Sequence, residues 1–325
     1  MRGLLCLAII LSLFLSLHPS ARADLCETTF SATTSADPFA SVVLSATVPV
    51  ELPKKLKVSS DKKQSQHLAD YAFSEYLLRD SEVELLTQAL ESVSKNGIDL
   101  TDHAQFDRFK DARSKTATIR GTFYVFSQSH TAPEKFDRFV IDLGHLDDLI
   151  GTKLNLLKSN PRKLDPNQLD PQIQALAAKT LASFRDAPPP ADLPQFFAPG
   201  DGKNFKEFMK NSETVALDRL AQRQLKITEF HEARKELKNF MNYFEFKRDT
   251  THSDSDKKDA KKASIYLRAL IDDYGVVHDA LVRAGALGTI NANEYILQSD
   301  VALNAALDIL KSKTRNFTDR LKIKK

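Results

Sequence analysis

From Asp61 onward, apolar positions recur three or four residues apart, the spacing of helices that bury one face. The stretches "HLADYAFSEYLL" (67–78) and "EVELLTQALESV" (82–93) each predict such a helix, and Asn96-Gly97 ends the second. A third helix is expected over 103–127, and a fourth from Pro133-Glu134, a favourable helix opening, to about residue 158. Pro161, Pro166 and Pro171 then interrupt the pattern. A short helix over 171–185 follows, and "DAPPPADLPQFFAPGDG" (186–202) reads as a linker. Helical signal resumes at Lys203 and continues to about Lys247. The polar run at 248–262 reads as a charged loop, with further helices over 261–287 and 292–313.

The pattern predicts an all-α protein: a first helical bundle over 61–160, a proline-rich linker with a short helix over 161–202, and a second bundle over 203–325. Abundant Leu, Ala, Lys and Asp, sparse Gly and no Trp agree with that class. Residues 24–60 differ. They are rich in Ser, Thr, Val and Pro, and "SVVLSATVPVELP" (41–53) predicts a short extended arm or a hairpin. Residues 1–23 have the layout of a secretory signal peptide: basic Arg2, an apolar run over 4–17, and Ala21-Arg22-Ala23 as a cleavage site. Cleavage after Ala23 would deliver a periplasmic or secreted protein with no transmembrane segment, because the apolar run is shorter than the roughly 20 residues a spanning helix needs. Cys6 would leave with the signal and Cys26 would stand alone, so no internal disulfide is expected. Asp24-Leu25 before Cys26 does not suit a lipid-attachment site.

Charge narrows the chemistry. Of 46 Lys+Arg, Arg2 and Arg22 belong to the signal, which leaves 44 against 43 Asp+Glu. So near-neutral a chain binds anions only through local clustering. Such a cluster occurs in "FHEARKELKNFMNYFEF" (230–246). On a helical wheel His231, Arg234, Lys235 and Lys238 fall within about 100° of one another, beside the apolar arc of Leu237, Phe240, Met241 and Phe244. Like charges one turn apart cost a few tenths of a kcal/mol per pair, so carboxylates or a bound anion should offset them. A similar helix occurs earlier. Laying His231 over Arg113, an offset of 118, sets Leu237 on Ile119, Lys238 on Arg120, Met241 on Phe123 and Phe244 on Phe126. Downstream, "LGHLDD" (143–148) resembles "YGVVHD" (274–279), with Gly144 and Gly275 each four residues before Asp148 and Asp279. Thirteen extra residues, taken from 248–262, bring the glycines into line, which suggests a degenerate duplication.

The pattern His231-x-x-Arg234-Lys235-x-x-Lys238, followed by Tyr243, Glu245-Phe246 and later Gly275 and Asp279, resembles the conserved-histidine α-helical domain (CHAD) family. The resemblance spans about 61–325, with its specific motif in the second copy alone. It implies two similar helical bundles related by an approximate twofold, with basic residues of both lining a central groove. It implies binding of inorganic polyphosphate or a similar polyanion, no specific nucleic acid, no cofactor and no catalysis. The polyanion contacts would be His231, Arg234, Lys235 and Lys238, facing Arg113 and Arg120. Asp148 and Asp279 read as supporting residues that orient basic side chains or cap helices rather than do chemistry. The first copy departs from the pattern: Arg113 stands for His231, Thr116 for Arg234, and "LGHLDD" lacks a basic residue where the second copy has His278.

His231 reads equally as a ligand contact, a pH-sensitive cation or a buried hydrogen-bonding group. No P-loop, nucleophile elbow or His-Glu-x-x-His motif is present, and Asp272-Asp273 with His278-Asp279 has no metal-cluster spacing. Tyr243 and its neighbouring phenylalanines fit a core, and "KKDAKK" (257–262) a solvated loop. The alternative to a polyanion binder is a structural or protein-interaction scaffold of the cell envelope, its strip neutralised by Glu232, Glu236 or Asp279.

Overall fold

A computed structural model describes residues 39–40, 42–99, 101–159, 169–286 and 289–324. The expected signal segment and Cys26 lie outside them. Within them the protein is all-α apart from two three-residue strands. Aspartates fix where many of the helices begin, each accepting from free backbone N–H groups of the first turn. Asp61 caps α1 (Lys62–Tyr76), Asp102 caps α3 (His103–Phe126), and Asp201 caps α6 (Gly202–Ala221). Between these lie α2 (Asp80–Asn96), α4 (Glu134–Ser159) and α5 (Asp170–Asp186). Gly97 closes α2 at φ 77°, a left-handed conformation open to glycine, and its N–H returns to Val93 O at 2.9 Å.

Helices α1 to α5 pack mainly on one another, with α5 against α2 and α4. The segment expected as a linker therefore belongs largely to the first bundle. Ile173, Leu176 and Ala177 of α5 are buried. The prolines beyond it form a 3-10 helix (Pro190–Phe196) that buries Leu193, and Gly200 N–H bonds Phe126 O at 2.8 Å.

The second bundle comprises α6, α7 (Ile227–Thr250), α8 (Asp254–Ala286) and α9 (Val301–Thr318). Three expectations need correction here. The helical signal from Lys203 to Lys247 is two helices, because Gln298 holds the chain open between them: its side chain accepts from Leu225 N–H at 3.0 Å and donates to Gln222 O at 2.8 Å. The supposed loop at 248–262 is helical except around 251–253. Asp254 and Asp256 suit the positive end of α8, and Ala260 is buried. The last helix begins at Val301 rather than near 292, capped by Asp300.

The arm is not a hairpin among the described residues. Its strand β1 (Leu56–Val58) pairs in parallel with β2 (Leu321–Ile323), beyond the last helix. Tyr243 of α7, fully buried as expected of a core residue, accepts from Ser59 N–H at 3.1 Å and donates to Ser59 O at 2.9 Å. The two bundles share one continuous apolar core, and they meet where α3 lies on α7 and α4 on α8. The first of these crossings is close: a Cβ on Gly121 would overlap Asn242 Nδ2.

Candidate anion-binding site

The seam between the bundles gathers the basic residues singled out in the sequence. Arg113 and Arg120 project from α3; His231, Arg234, Lys235 and Lys238 project from α7. The charge of Arg113 reaches Arg234 and Lys238, and that of Arg120 reaches Lys235. The two helices thus bring their cations to one place.

The two halves bury similarly spaced sets of positions. Phe109, Ala112, Thr116, Ile119, Thr122 and Phe123 are buried on α3. Phe230, Ala233, Leu237, Phe240, Tyr243 and Phe244 are buried on α7. Each residue of the second set lies 121 positions after its counterpart, not 118. On α4 and α8 the displacement is 131, as the glycines require: Leu143, Leu146 and Ile150 match Tyr274, Val277 and Leu281. In this register Arg113 matches Arg234 rather than His231. Arg113 Nε lies 3.9 Å from where a Cβ on Gly144 would stand, and Arg234 Nη2 lies 3.3 Å from the same point at Gly275. Lys179 pairs with Asp142 at 2.8 Å, and Lys313 with Asp273 at 2.7 Å.

The matched arginines differ in their partners. Arg113 Nη1 donates to Asp147 at 2.5 Å and to Asp148 at 2.7 Å. Asp148 is thus paired with a basic side chain of the neighbouring helix. Burial pulls the Arg113 guanidinium down, but the charges of Asp148 and Asp147 outweigh it and hold the pKa above its ordinary value. Arg120 Nε donates to Asp137, and the guanidinium lies 5.1 Å over the Tyr124 ring. There too burial is outweighed, by the hydrogen bond and charge of Asp137, so its pKa rises.

On α7 the balance is reversed. Among the described residues, no carboxylate lies within ion-pairing distance of Arg234, Lys235 or Lys238. Arg234 Nε donates only to Ile271 O, at 3.3 Å. Enclosure by protein lowers its pKa, and the charge of Arg113 adds to that effect against the opposing charge of Asp279. Lys235 and Lys238 reach solvent. Desolvation and then the Arg120 charge push Lys235 down. Desolvation, Arg234 and Arg113 push Lys238 down to about 8. Unpaired cations crowded together favour any anion that can settle among them.

His231 is not one of these cations. Burial first, then the charge of Lys235, holds its pKa down at about 2, so the imidazole stays neutral. Its ring packs on His278, with centroids 5.3 Å apart. His231 Nδ1 and His278 Nε2 are buried with no hydrogen-bond partner among the described residues. Asp279 stands 3.6 Å from His278 Nδ1, and its charge is felt at Arg234 without contact. Asp147, Asp137 and Tyr124 had not been anticipated. Asp147 was visible in the doublet Asp147-Asp148, but only the packing of α4 on α3 shows that both carboxylates converge on one arginine. Among the described residues there is no cluster of His, Cys, Asp and Glu that would hold a metal ion. Nor is any helix long and apolar enough to cross a membrane. No protein-family model, curated protein or solved structure matches the chain.

Proposed function

We propose that this is an exported, non-enzymatic binding protein of the CHAD type that takes inorganic polyphosphate or a similar phosphate-rich polyanion at the seam between two duplicated bundles. The observation that carries this reading is the set Arg234, Lys235 and Lys238, three cations on one helix with no carboxylate among the described residues paired to any of them. A scaffold that had lost its ligand would have no reason to keep that repulsion uncompensated. The acids able to neutralise the strip are engaged elsewhere. Glu232 pairs with Arg219 at 2.8 Å, Glu236 accepts from Asn239 at 3.0 Å, and Asp279 lies beside His278. The matched burial of α3 with α7 and of α4 with α8 supports the duplication, and with it the resemblance.

Phosphate oxygens would accept charge-assisted hydrogen bonds from the Arg234 guanidinium and the two ammonium groups, with release of counterions. Titration of the mature protein with polyphosphate at two salt concentrations tests the reading. Binding should weaken as salt rises, and Arg234→Ala with Lys238→Ala should remove it. Salt-insensitive binding, or full binding by that double variant, would point to the scaffold instead.

A further inference from the structure

The two halves of the seam are not equally equipped. Arg113 and Arg234 occupy matching places, each against a helical glycine of its own bundle, Gly144 or Gly275. One turn beyond those glycines the halves diverge: Asp147 stands on α4 where His278 stands on α8. The carboxylate clamps its arginine at 2.5 Å. The imidazole does not, and Arg234 keeps its terminal nitrogens free of any carboxylate among the described residues. On the helices themselves, Ser114 and Ala117 stand where α7 carries Lys235 and Lys238. Around the first arginine two carboxylates face one cation. Around the second, the charges of Asp279, Asp148 and Asp272 reach Arg234 only from a distance, and no carboxylate among the described residues pairs with Arg234, Lys235 or Lys238.

We infer that the site is one-sided: the second bundle holds the anion, while in the first Asp147 and Asp148 fill the place an anion would take beside Arg113. This rests on the phosphate-binding reading above and narrows its ligand. From Arg234 to Lys238 the strip extends about 6 Å along the helix, at about 1.5 Å per residue. That is the reach of a diphosphate or triphosphate. The site therefore takes a short oligophosphate, or one short stretch of a longer chain, and gains nothing from further phosphate groups. His278 is the residue that leaves Arg234 free.

The test is calorimetric titration of the mature chain with pyrophosphate, tripolyphosphate and long-chain polyphosphate, each corrected for the number of protein molecules bound per chain. Affinity should rise from the first to the second and then level off. Its logarithm should fall against log salt with a slope of about −2, since three contacts contribute roughly −0.7 each on a flexible single chain. His278→Asp should clamp Arg234 and lower tripolyphosphate affinity ~10-fold or more, while His278→Asn keeps it near wild type. Asp147→Asn combined with Asp148→Asn should unclamp Arg113, strengthen long-chain binding and steepen its salt slope. Affinity that keeps climbing with chain length in the wild type would overturn the inference while leaving phosphate binding intact. So would a folded His278→Asp protein that binds normally, or an Asp147/Asp148 variant with unchanged binding. If none of the three phosphates binds the wild type, the functional reading falls and the inference with it.

Discussion

Replacing Gly275 by alanine would separate what holds the fold from what the proposed site needs to hold an anion. The added methyl would stand 3.3 Å from Arg234 Nη2 and 4.0 Å from its Cζ, a few tenths of an ångström too close for comfort. The same change at Gly144 would meet only Arg113 Nε, at 3.9 Å, an ordinary contact. In a helix interior, alanine is favoured over glycine by about 1 kcal/mol. Gly144→Ala should therefore stabilise the protein by up to that amount and raise Tm by roughly 1–2 °C. Its phosphate affinity should not move. Gly275→Ala gains the same propensity, but the guanidinium must give by a few tenths of an ångström, which strains the 3.3 Å bond from Arg234 Nε to Ile271 O. A charge-assisted hydrogen bond contributes about 1.5–3 kcal/mol, so partial displacement of Arg234 should weaken tripolyphosphate binding by up to ~10-fold. Thermal unfolding and titration of both variants under one buffer make the comparison. The reasoning is refuted if Gly275→Ala binds as tightly as wild type, or if Gly144→Ala loses affinity alongside it.

Lys238, held down at about 8 in the free protein, must be charged to grip a phosphate, so binding takes up a proton once the pH exceeds that value. Affinity should decline as the pH rises past 8, and Lys238→Arg should shallow that decline, leaving only what Lys235 contributes; titrations from pH 7 to 9.5 decide. His231 stays neutral in the folded chain, while its unfolded counterpart takes a proton near 6.5. The unfolded state therefore binds more protons as the pH drops below 6.5, and stability falls with it; His231→Gln should flatten this part of the Tm-versus-pH curve, and parallel curves would contradict the assignment. Tyr243→Phe removes both bonds to Ser59 and should cost about 1–3 kcal/mol, read as a lower denaturant midpoint.

The helices were legible because their signals are local. Asp61, Asp102 and Asp201 lie just before apolar-periodic stretches, and Gly97 follows one. What escaped depends on distant partners. Nothing between Lys203 and Lys247 announces the break before α7, since Gln298, more than seventy residues on, supplies the competing hydrogen bonds. The start of α8 looked like loop because its charged residues face water and Ala260 alone gives a small apolar clue. A second alignment of the halves is also open for a related reason: basic residues align Lys238 with Arg120, whereas the buried residues Phe109, Ala112 and Ile119 align with Phe230, Ala233 and Phe240, and surface charge is freer to vary than a buried face. The basic strip itself could be read from spacing. That Arg113 is already satisfied and Arg234 is not could not, because this turns on which side chain α4 and α8 present one turn past their glycines.

The pairing of Leu56–Val58 with Leu321–Ile323 bears on the order in which the molecule is assembled. The strand near the start of the described chain cannot find its partner until the helices of both bundles have left the ribosome. Closing so long a loop is entropically costly unless the intervening helices have already drawn its ends together. The clasp is thus a final fastening, made only by a chain whose two halves have docked. A molecule with one bundle misfolded would leave both short edges open, and proteolysis around residues 56–60 would report it.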